Sequence, residues 1–209
     1  MIMKKLISKT WIIVAIVIAV PLIAFETVHW LENKYEALPV LNKATDLMNV
    51  DYHFQNQKNE IKTFKDWEKK IVVADFFFTT CPTICPKMTR GLSEVAAQFN
   101  NDTKVQLLSF TVDPEHDSVA KLLSYSQNMD AAYLNWDFLT GEKRSIYKLA
   151  RKEFFVTATD GDGGPQDFIH SDKVMLVDKQ NNIRGYYDGT SQKEIQQLIK
   201  DVKKLKDER

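Results

Sequence analysis

The sequence predicts an α/β domain in which helices flank a central sheet, preceded by one N-terminal transmembrane helix. Segments typical of strands alternate along the chain with segments of helical spacing, which is the pattern of a sheet covered by helices. One strand, Ile71 to Thr79 (IVVADFFFT), is almost continuously apolar, as expected when both faces are buried. Near the N-terminus, about 20 mostly apolar residues from Leu6 to Phe25 could cross about 30 Å of hydrocarbon.

The charges around this apolar run predict its orientation. Lys4, Lys5 and Lys9 precede it, and Glu26 and Glu32 follow it. The positive-inside bias then keeps the N-terminus in the cytoplasm and places the domain on the periplasmic, extracytoplasmic side of the cytoplasmic (inner) membrane, with a single pass. A cleaved signal peptide is the alternative, although no A-x-A pair of small residues closes the run.

Composition and spacing define three segments and exclude one class of partner. We expect a membrane anchor over residues 1–25, a tether over 26–50, and one folded domain over 51–209.

Lys and Arg total 28, as do Asp and Glu, so the formal charge is zero. No basic field exists to attract nucleic acid, which is therefore not an expected partner.

The elements of the domain are expected in a simple order. A small hairpin over Asp51–Asn56 and Glu60–Lys62 precedes the buried strand. The remaining elements are a helix at Pro86–Phe99, a strand at Lys104–Thr111, a helix at Asp117–Met129, a strand at Tyr133–Leu139, a helix at Glu142–Lys152, strands at Lys173–Val177 and Ile183–Tyr187, and a helix from Gln192 to about Leu205.

The chain has two cysteines, Cys81 and Cys85, between the buried strand and the next helix (FFFTTCPTICPKM). This placement is similar to that in thioredoxin-like folds. A disulfide between them would close a loop of about five residues and stabilise the fold by roughly 2 kcal/mol, the low end for a structural bond. A helix N-terminus also lowers the pKa of a nearby thiol. We therefore expect reactive thiols.

Two kinds of chemistry remain open for these thiols, disulfide exchange and metal binding. Three residues separate them, whereas a thioredoxin-type exchanger has two. Two thiolates suit Cu(I), but a specific site needs a further donor. Four histidines are available: His29, His53, His116 and His170. His170 is favoured because it follows a Gly-rich segment and precedes a predicted strand, so that a loop could carry it over the cysteines.

The segment FTTCPTICP, Phe78 to Pro86, resembles the signature of the Sco/SenC family. Members are membrane-anchored, thioredoxin-like copper proteins that help to assemble the dinuclear copper centre of cytochrome c oxidase. The resemblance extends over about Asp51 to Leu205. Three further segments agree with the family pattern: TVDPE at Thr111–Glu115, FIHS at Phe168–Ser171, and MLVD at Met175–Asp178 followed by Gly185.

The resemblance implies that Cys81, Cys85 and His170 bind copper and that Asp113 supports the site without binding the metal. It implies three partners: the copper-bearing subunit of cytochrome c oxidase, a copper donor and a thiol reductant. Two thiolates with one imidazole can hold both Cu(I) and Cu(II). The expected function is that of a copper metallochaperone.

Other functions stay open. A membrane-tethered thiol–disulfide reductase would use Cys81 and Cys85 as its redox thiols. A peroxidase or a non-catalytic membrane-bound scaffold are further alternatives.

Overall fold

The structure, a computed structural model, describes residues 2–35, 37–44, 47, 52–156 and 171–208. The chain divides into two compact units, Met1–Ala37 and Leu38–Arg209.

The first unit is a single helix, α1 (Ile2–Tyr35), with Pro21 inside it. Among the residues that the structure describes, no helix combines the length and the apolar character needed to cross a membrane. The predicted transmembrane helix is therefore not supported. A helix does form at the predicted place, but its uninterrupted apolar stretch, Trp11 to Phe25, rises only about 22 Å at 1.5 Å per residue.

The second unit is built on one sheet, which has eight strands within the described residues. In chain order they are β1 (Asn42–Lys43), β2 (Phe54–Asn56), β3 (Ile61–Lys62), β4 (Ile71–Phe77), β5 (Val105–Thr111), β6 (Trp136–Gly141), β7 (Lys173–Val177) and β8 (Asn182–Asp188). Their order across the sheet is β1-β8-β7-β4-β5-β6-β2-β3. β4, β5 and β6 are parallel, and β7 is antiparallel to β4.

Helices cover both faces of this sheet. They are α2 (Ile84–Gln98), α3 (Val119–Asn128), α4 (Lys143–Lys148), which continues as a π-helical turn over Leu149–Glu153, and α5 (Gln192–Asp207), with a 3₁₀ turn at Phe64–Trp67. This arrangement confirms the predicted α/β sheet flanked by helices.

The central strand β4 shows why the fold forms around it. All seven of its residues are buried. Ile71, Val73 and Phe77 pack into a cluster with apolar side chains of α2 and α5. The alternate residues, such as Phe76, pack into a second cluster on the opposite face. The apolar run in the sequence therefore predicted burial on both sides correctly.

Arg184 of β8 joins distant parts of the second unit. Its guanidinium pairs with Asp178 at 2.9 Å and with Glu208 at 2.8 Å. It also donates to the backbone carbonyls of Leu38 and Pro39. The side chain is only 8% exposed, so these contacts satisfy a buried charge and hold the first residues of the unit to Glu208, which follows its last helix.

Candidate metal centre

Three chain segments meet at the edge of the sheet where β4 ends. β4 and β5 are parallel and end at the paired residues Phe77 and Thr111. Val112, the residue after β5, donates its N–H to the carbonyl of Phe77 at 2.8 Å. β7 runs the other way, with Val174 opposite Asp75, so it begins at this edge. The residues that follow β4 and β5 therefore lie at the same end of the sheet as Ser171 and Asp172, which directly precede β7.

The cysteine loop, residues 78–83, connects β4 to α2. Within it, the N–H of Cys81 donates to the carbonyl of Phe78 at 3.3 Å. α2 begins at Ile84, two residues before the predicted start at Pro86, so Cys85 lies inside its first turn. Pro86 is still tolerated, because backbone N–H groups in the first turn have no helical partner.

Both cysteines are free thiols, and the sulfur of Cys81 contacts the backbone of Cys85. The N–H of Cys85 donates to the Sγ of Cys81 at 3.4 Å. Cys81 is partly exposed, whereas Cys85 is only 4% exposed. The pair therefore presents one accessible sulfur and one buried sulfur at the start of a helix.

The two thiols differ in their ionisation. Burial acts to raise the pKa of Cys81, but the N–H groups of Cys85, Thr83 and Ile84 favour its thiolate, and the net result is a lowered pKa. Burial raises the pKa of Cys85 to about 12, and the negative charges of Cys81 and Asp75 act in the same direction. Cys81 is thus prepared to act as a thiolate, whereas Cys85 keeps its proton until a metal or a base removes it.

Asp75 is a buried carboxyl group in the middle of β4, on the sheet face that α2 covers. Ser109 donates its Oγ proton to Asp75 Oδ1 at 2.5 Å and accepts from Trp136 Nε1 at 2.9 Å. Burial raises the pKa of Asp75 to about 7, against the lowering effect of Ser109. Asp75 was not among the predicted site residues, although its place as the one acidic residue inside the apolar run IVVADFFF was an available signal.

Asp113, predicted to support the site, lies in the segment after β5. Its N–H donates to Thr111 Oγ1 at 3.0 Å, and its Oδ1 lies 2.8 Å from His116 Nδ1. The described contacts of its carboxylate are thus with an exposed histidine. A supporting role for Asp113 stays a prediction.

A second carboxylate nearby, Asp117, is fully buried. It accepts hydrogen bonds from Thr79, in the cysteine loop, and from Thr111, at the end of β5. In the sequence, Asp117 is only the first residue of a predicted helix. Its position four residues after Asp113, in TVDPEHD, was the signal that could have marked Asp117 as a residue near the site.

The histidines contribute less to the described site. His170 lies outside the described residues, as does the side chain of His29. His53 and His116 are exposed. Within the described part of the chain, no group of three or more His, Cys, Asp or Glu residues could hold a metal ion. The thiol pair is therefore the described part of the predicted site.

Comparison with protein families decides the membership of the chain. The SCO1/SenC family model matches residues 42–207. This protein belongs to the SCO1/SenC family. The match includes the cysteine loop and every strand of the sheet.

Solved structures of similar proteins agree with this membership. A SCO1/SenC family lipoprotein from Bacillus anthracis is 31% identical, with a TM-score of 0.67 over 80% of this chain and 97% of that one. BsSco, described with a disulfide switch and as a member of the Sco family of cytochrome c oxidase assembly proteins, is 28% identical, with a TM-score of 0.68 over 83% and 99%. This likeness confirms the predicted thioredoxin-like sheet with flanking helices.

A third structure concerns the metal. ScoI of Bradyrhizobium japonicum, solved with copper bound, is 23% identical to this chain, with a TM-score of 0.59 over 75% of this chain and 98% of that one. It shares the fold. Homologous Sco structures have thus been solved with copper bound.

Proposed function

We propose that this protein binds copper through Cys81, Cys85 and His170, and that it delivers the metal to the dinuclear copper site of cytochrome c oxidase or prepares the thiols of that site. The observation that carries this proposal is the pair of free thiols at the start of α2, one of which has a stabilised thiolate. The copper in ScoI and the assembly role stated for BsSco support it.

The chemistry of the donor set suits copper as cargo. Cu(I) prefers soft thiolates and accepts low coordination, and an added imidazole lets the same site also hold Cu(II). Both thiols must be deprotonated to bind. Because the pKa of free Cys85 is about 12, loading with copper at neutral pH must release the proton of Cys85.

The position of β7 supports His170 as the third donor. The backbone carbonyl of Asp172, two residues after His170, accepts a hydrogen bond from the N–H of Gly189 at 2.7 Å. A Cβ atom at Gly189 would lie 3.0 Å from the side chain of Met88, one turn beyond Cys85 in α2. The chain that follows His170 therefore runs close to the helix that carries Cys85, which is why we favour this histidine.

The proposed site also requires a copper donor and a thiol reductant. A disulfide between Cys81 and Cys85 would have no thiolate to offer, and dithiols in an oxidising compartment tend to form disulfides. A reductant must therefore act before the donor can load the metal.

We further propose that the protein works at the cytoplasmic membrane, on its extracytoplasmic side. The side chains described from Trp11 to Val28 are exposed and mostly apolar, which suits contact with lipid, and the B. anthracis relative is described as a lipoprotein. We expect the protein to sediment with membranes. Cys81 should react with an impermeant maleimide in intact cells, and labelling only after lysis would contradict the proposed side.

A copper titration tests the proposed ligands. The reduced full chain is titrated anaerobically with Cu(I) against a competing chelator, together with Cys85→Ser, His170→Ala and a control variant at an exposed histidine, His53→Ala. We expect one tightly bound Cu(I) per chain and affinity at least about tenfold weaker in the first two variants, because each loses a donor. Equal affinities for His170→Ala and His53→Ala would contradict the three-ligand site.

Thiol–disulfide exchange is a second candidate, because the unequal thiols suit it. The Cys81 thiolate would attack a target disulfide, forming a mixed disulfide and releasing one target thiolate. The Cys85 sulfur, after losing its proton, would attack Cys81 and release the second target thiolate, leaving the Cys81–Cys85 disulfide. Cys85→Ser should then trap the mixed disulfide, whereas His170→Ala should leave the exchange rate unchanged.

A further inference from the structure

Asp117 lies where the cysteine loop meets the segment after β5, and the proposed function does not use it. Its side chain is 0% exposed. A buried carboxylate is costly unless hydrogen-bond donors surround it. The donors around Asp117 come from the cysteine loop and from the end of β5, so the carboxyl group links these two segments.

Three donors converge on the two oxygen atoms of Asp117. Thr79 donates its N–H to Oδ2 at 3.0 Å and its Oγ1 proton to Oδ1 at 2.5 Å. Thr111 donates its Oγ1 proton to Oδ2 at 2.5 Å. Asp117 therefore fastens Thr79, by both its backbone and its side chain, to the end of β5.

Thr79 lies in the turn that leads into Cys81. The N–H of Cys81 closes this turn on the carbonyl of Phe78 at 3.3 Å. On the other side, the Sγ of Cys81 accepts a 3.4 Å hydrogen bond from the N–H of Cys85. Cys81 is thus held between the Asp117 contacts before it and the start of α2 after it.

We propose that Asp117 is a positioning residue for the dithiol: by fixing the turn before Cys81, it holds that sulfur at the start of α2 and so sets both the copper affinity and the reduction potential of the Cys81–Cys85 pair. The statement on copper rests on the function proposed above. The statement on the reduction potential does not, since that potential is measured on the copper-free Cys81–Cys85 pair.

The direction of both effects follows from the contacts. Asp117→Asn keeps the size of the side chain but places an NH₂ group against donors that need an acceptor. The turn then loosens in the reduced protein, whereas a disulfide would itself constrain the loop. We expect Cu(I) affinity to fall about tenfold and the thiol–disulfide equilibrium to shift about tenfold towards the disulfide, which corresponds to about 30 mV.

The control is a matched buried carboxylate at another place in the sheet. Asp137 of β6 is 8% exposed and also accepts from three neutral donors, namely Asn56, Gln106 and Trp67. It pairs with Leu108, three residues before the end of β5, and faces the side of the sheet opposite α2. Asp137→Asn should destabilise the fold as Asp117→Asn does, without acting on the cysteines.

The experiment compares the full-length wild type with Asp117→Asn, Thr111→Val and Asp137→Asn. Cu(I) affinity is measured by chelator competition, the reduction potential in thiol redox buffers, and stability by thermal unfolding. We expect Asp117→Asn to change all three, Thr111→Val to shift affinity and potential the same way by a smaller factor, and Asp137→Asn to change stability alone.

Two outcomes would overturn the positioning role of Asp117, and a third would separate it from the proposed function. If Asp117→Asn and Asp137→Asn lower stability alike and leave affinity and potential unchanged, Asp117 is only structural and the proposal is overturned. If Asp117→Asn does not fold, Thr111→Val provides the test, and an unchanged potential in that variant overturns the proposal. If the wild type binds no copper, the proposed function fails, while a shifted potential in Asp117→Asn still supports the positioning role.

Discussion

Replacing Asp75 by asparagine should change how the stability of the protein depends on pH. Burial raises the pKa of Asp75 to about 7, against an ordinary value of 3.8. Below about pH 4 the carboxyl group is protonated in both the folded and the unfolded chain. Between about pH 4 and pH 7 the unfolded chain releases this proton while the folded chain retains it, so the folded state loses stability as the pH rises.

The magnitude follows from the difference between the two pKa values of Asp75. That difference is about three pH units. At about 1.4 kcal/mol per unit, the free energy of unfolding of the wild type should fall by about 4 kcal/mol through this group alone. The asparagine side chain of the variant cannot ionise, and its amide oxygen can still accept the hydrogen bond from Ser109. The variant should therefore become more stable relative to wild type by about 4 kcal/mol between pH 4 and pH 8.

Denaturant unfolding of the reduced, copper-free protein at several pH values measures this difference. Trp136 is a suitable fluorescent reporter, since it belongs to the same hydrogen-bonded chain as Asp75. Ser109→Ala is a useful companion variant. It removes the group that lowers the pKa of Asp75, and so should move the pH dependence to higher pH. Parallel pH profiles for wild type and Asp75→Asn would refute the reasoning.

Three further predictions concern other parts of the molecule. Iodoacetamide should alkylate Cys81 at a rate whose pH midpoint lies below pH 9, and should leave Cys85 unmodified in the folded protein, as measured by peptide mass spectrometry. Equal alkylation rates for the two thiols would contradict their unequal burial. Arg184→Ala should lower the free energy of unfolding by about 3 kcal/mol, because two carboxylates lose a buried partner, and should expose the chain near Leu38 to proteolysis. An unchanged midpoint of denaturant unfolding would contradict this prediction. Gly189→Ala should lower the free energy of unfolding by about 1–3 kcal/mol in denaturant, because its Cβ would lie 2.9 Å from the side chain of Val174. An unchanged free energy of unfolding would show that β7, which carries Val174, can shift.

The sequence predicted the central part of the fold well, because its elements are encoded locally. β4 is an uninterrupted apolar run, and α2 and α5 have apolar residues at helical spacing, so burial and period alone identify them. β1, by contrast, has only two residues, Asn42 and Lys43, which are polar and exposed. Its place in the sheet depends on pairing with β8, more than a hundred residues away, which no local pattern reveals.

Only the part of the site that local sequence features mark was predictable. Cys81 and Cys85 stand out by their chemistry and by their place between a strand and a helix. Asp75 and Asp117 do not, because their importance arises from burial and from contacts with distant residues such as Ser109 and Thr111. A sequence shows that an acidic residue is present, whereas only the fold shows which donors surround it.

The copper and exchange mechanisms depend on the same inequality between the two thiols, so a loss of activity in cysteine variants does not by itself separate them. In either mechanism the buried thiol of Cys85 must lose a proton that its surroundings favour, and loss of Cys85 impairs the activity. An imidazole, however, forms and breaks no bond in the exchange of one disulfide for another, while it supplies the donor that two thiolates lack for copper. His170→Ala measured in both assays therefore distinguishes the mechanisms: loss of copper affinity with an unchanged exchange rate favours delivery of the metal, and no change in either assay removes the argument for a three-ligand site.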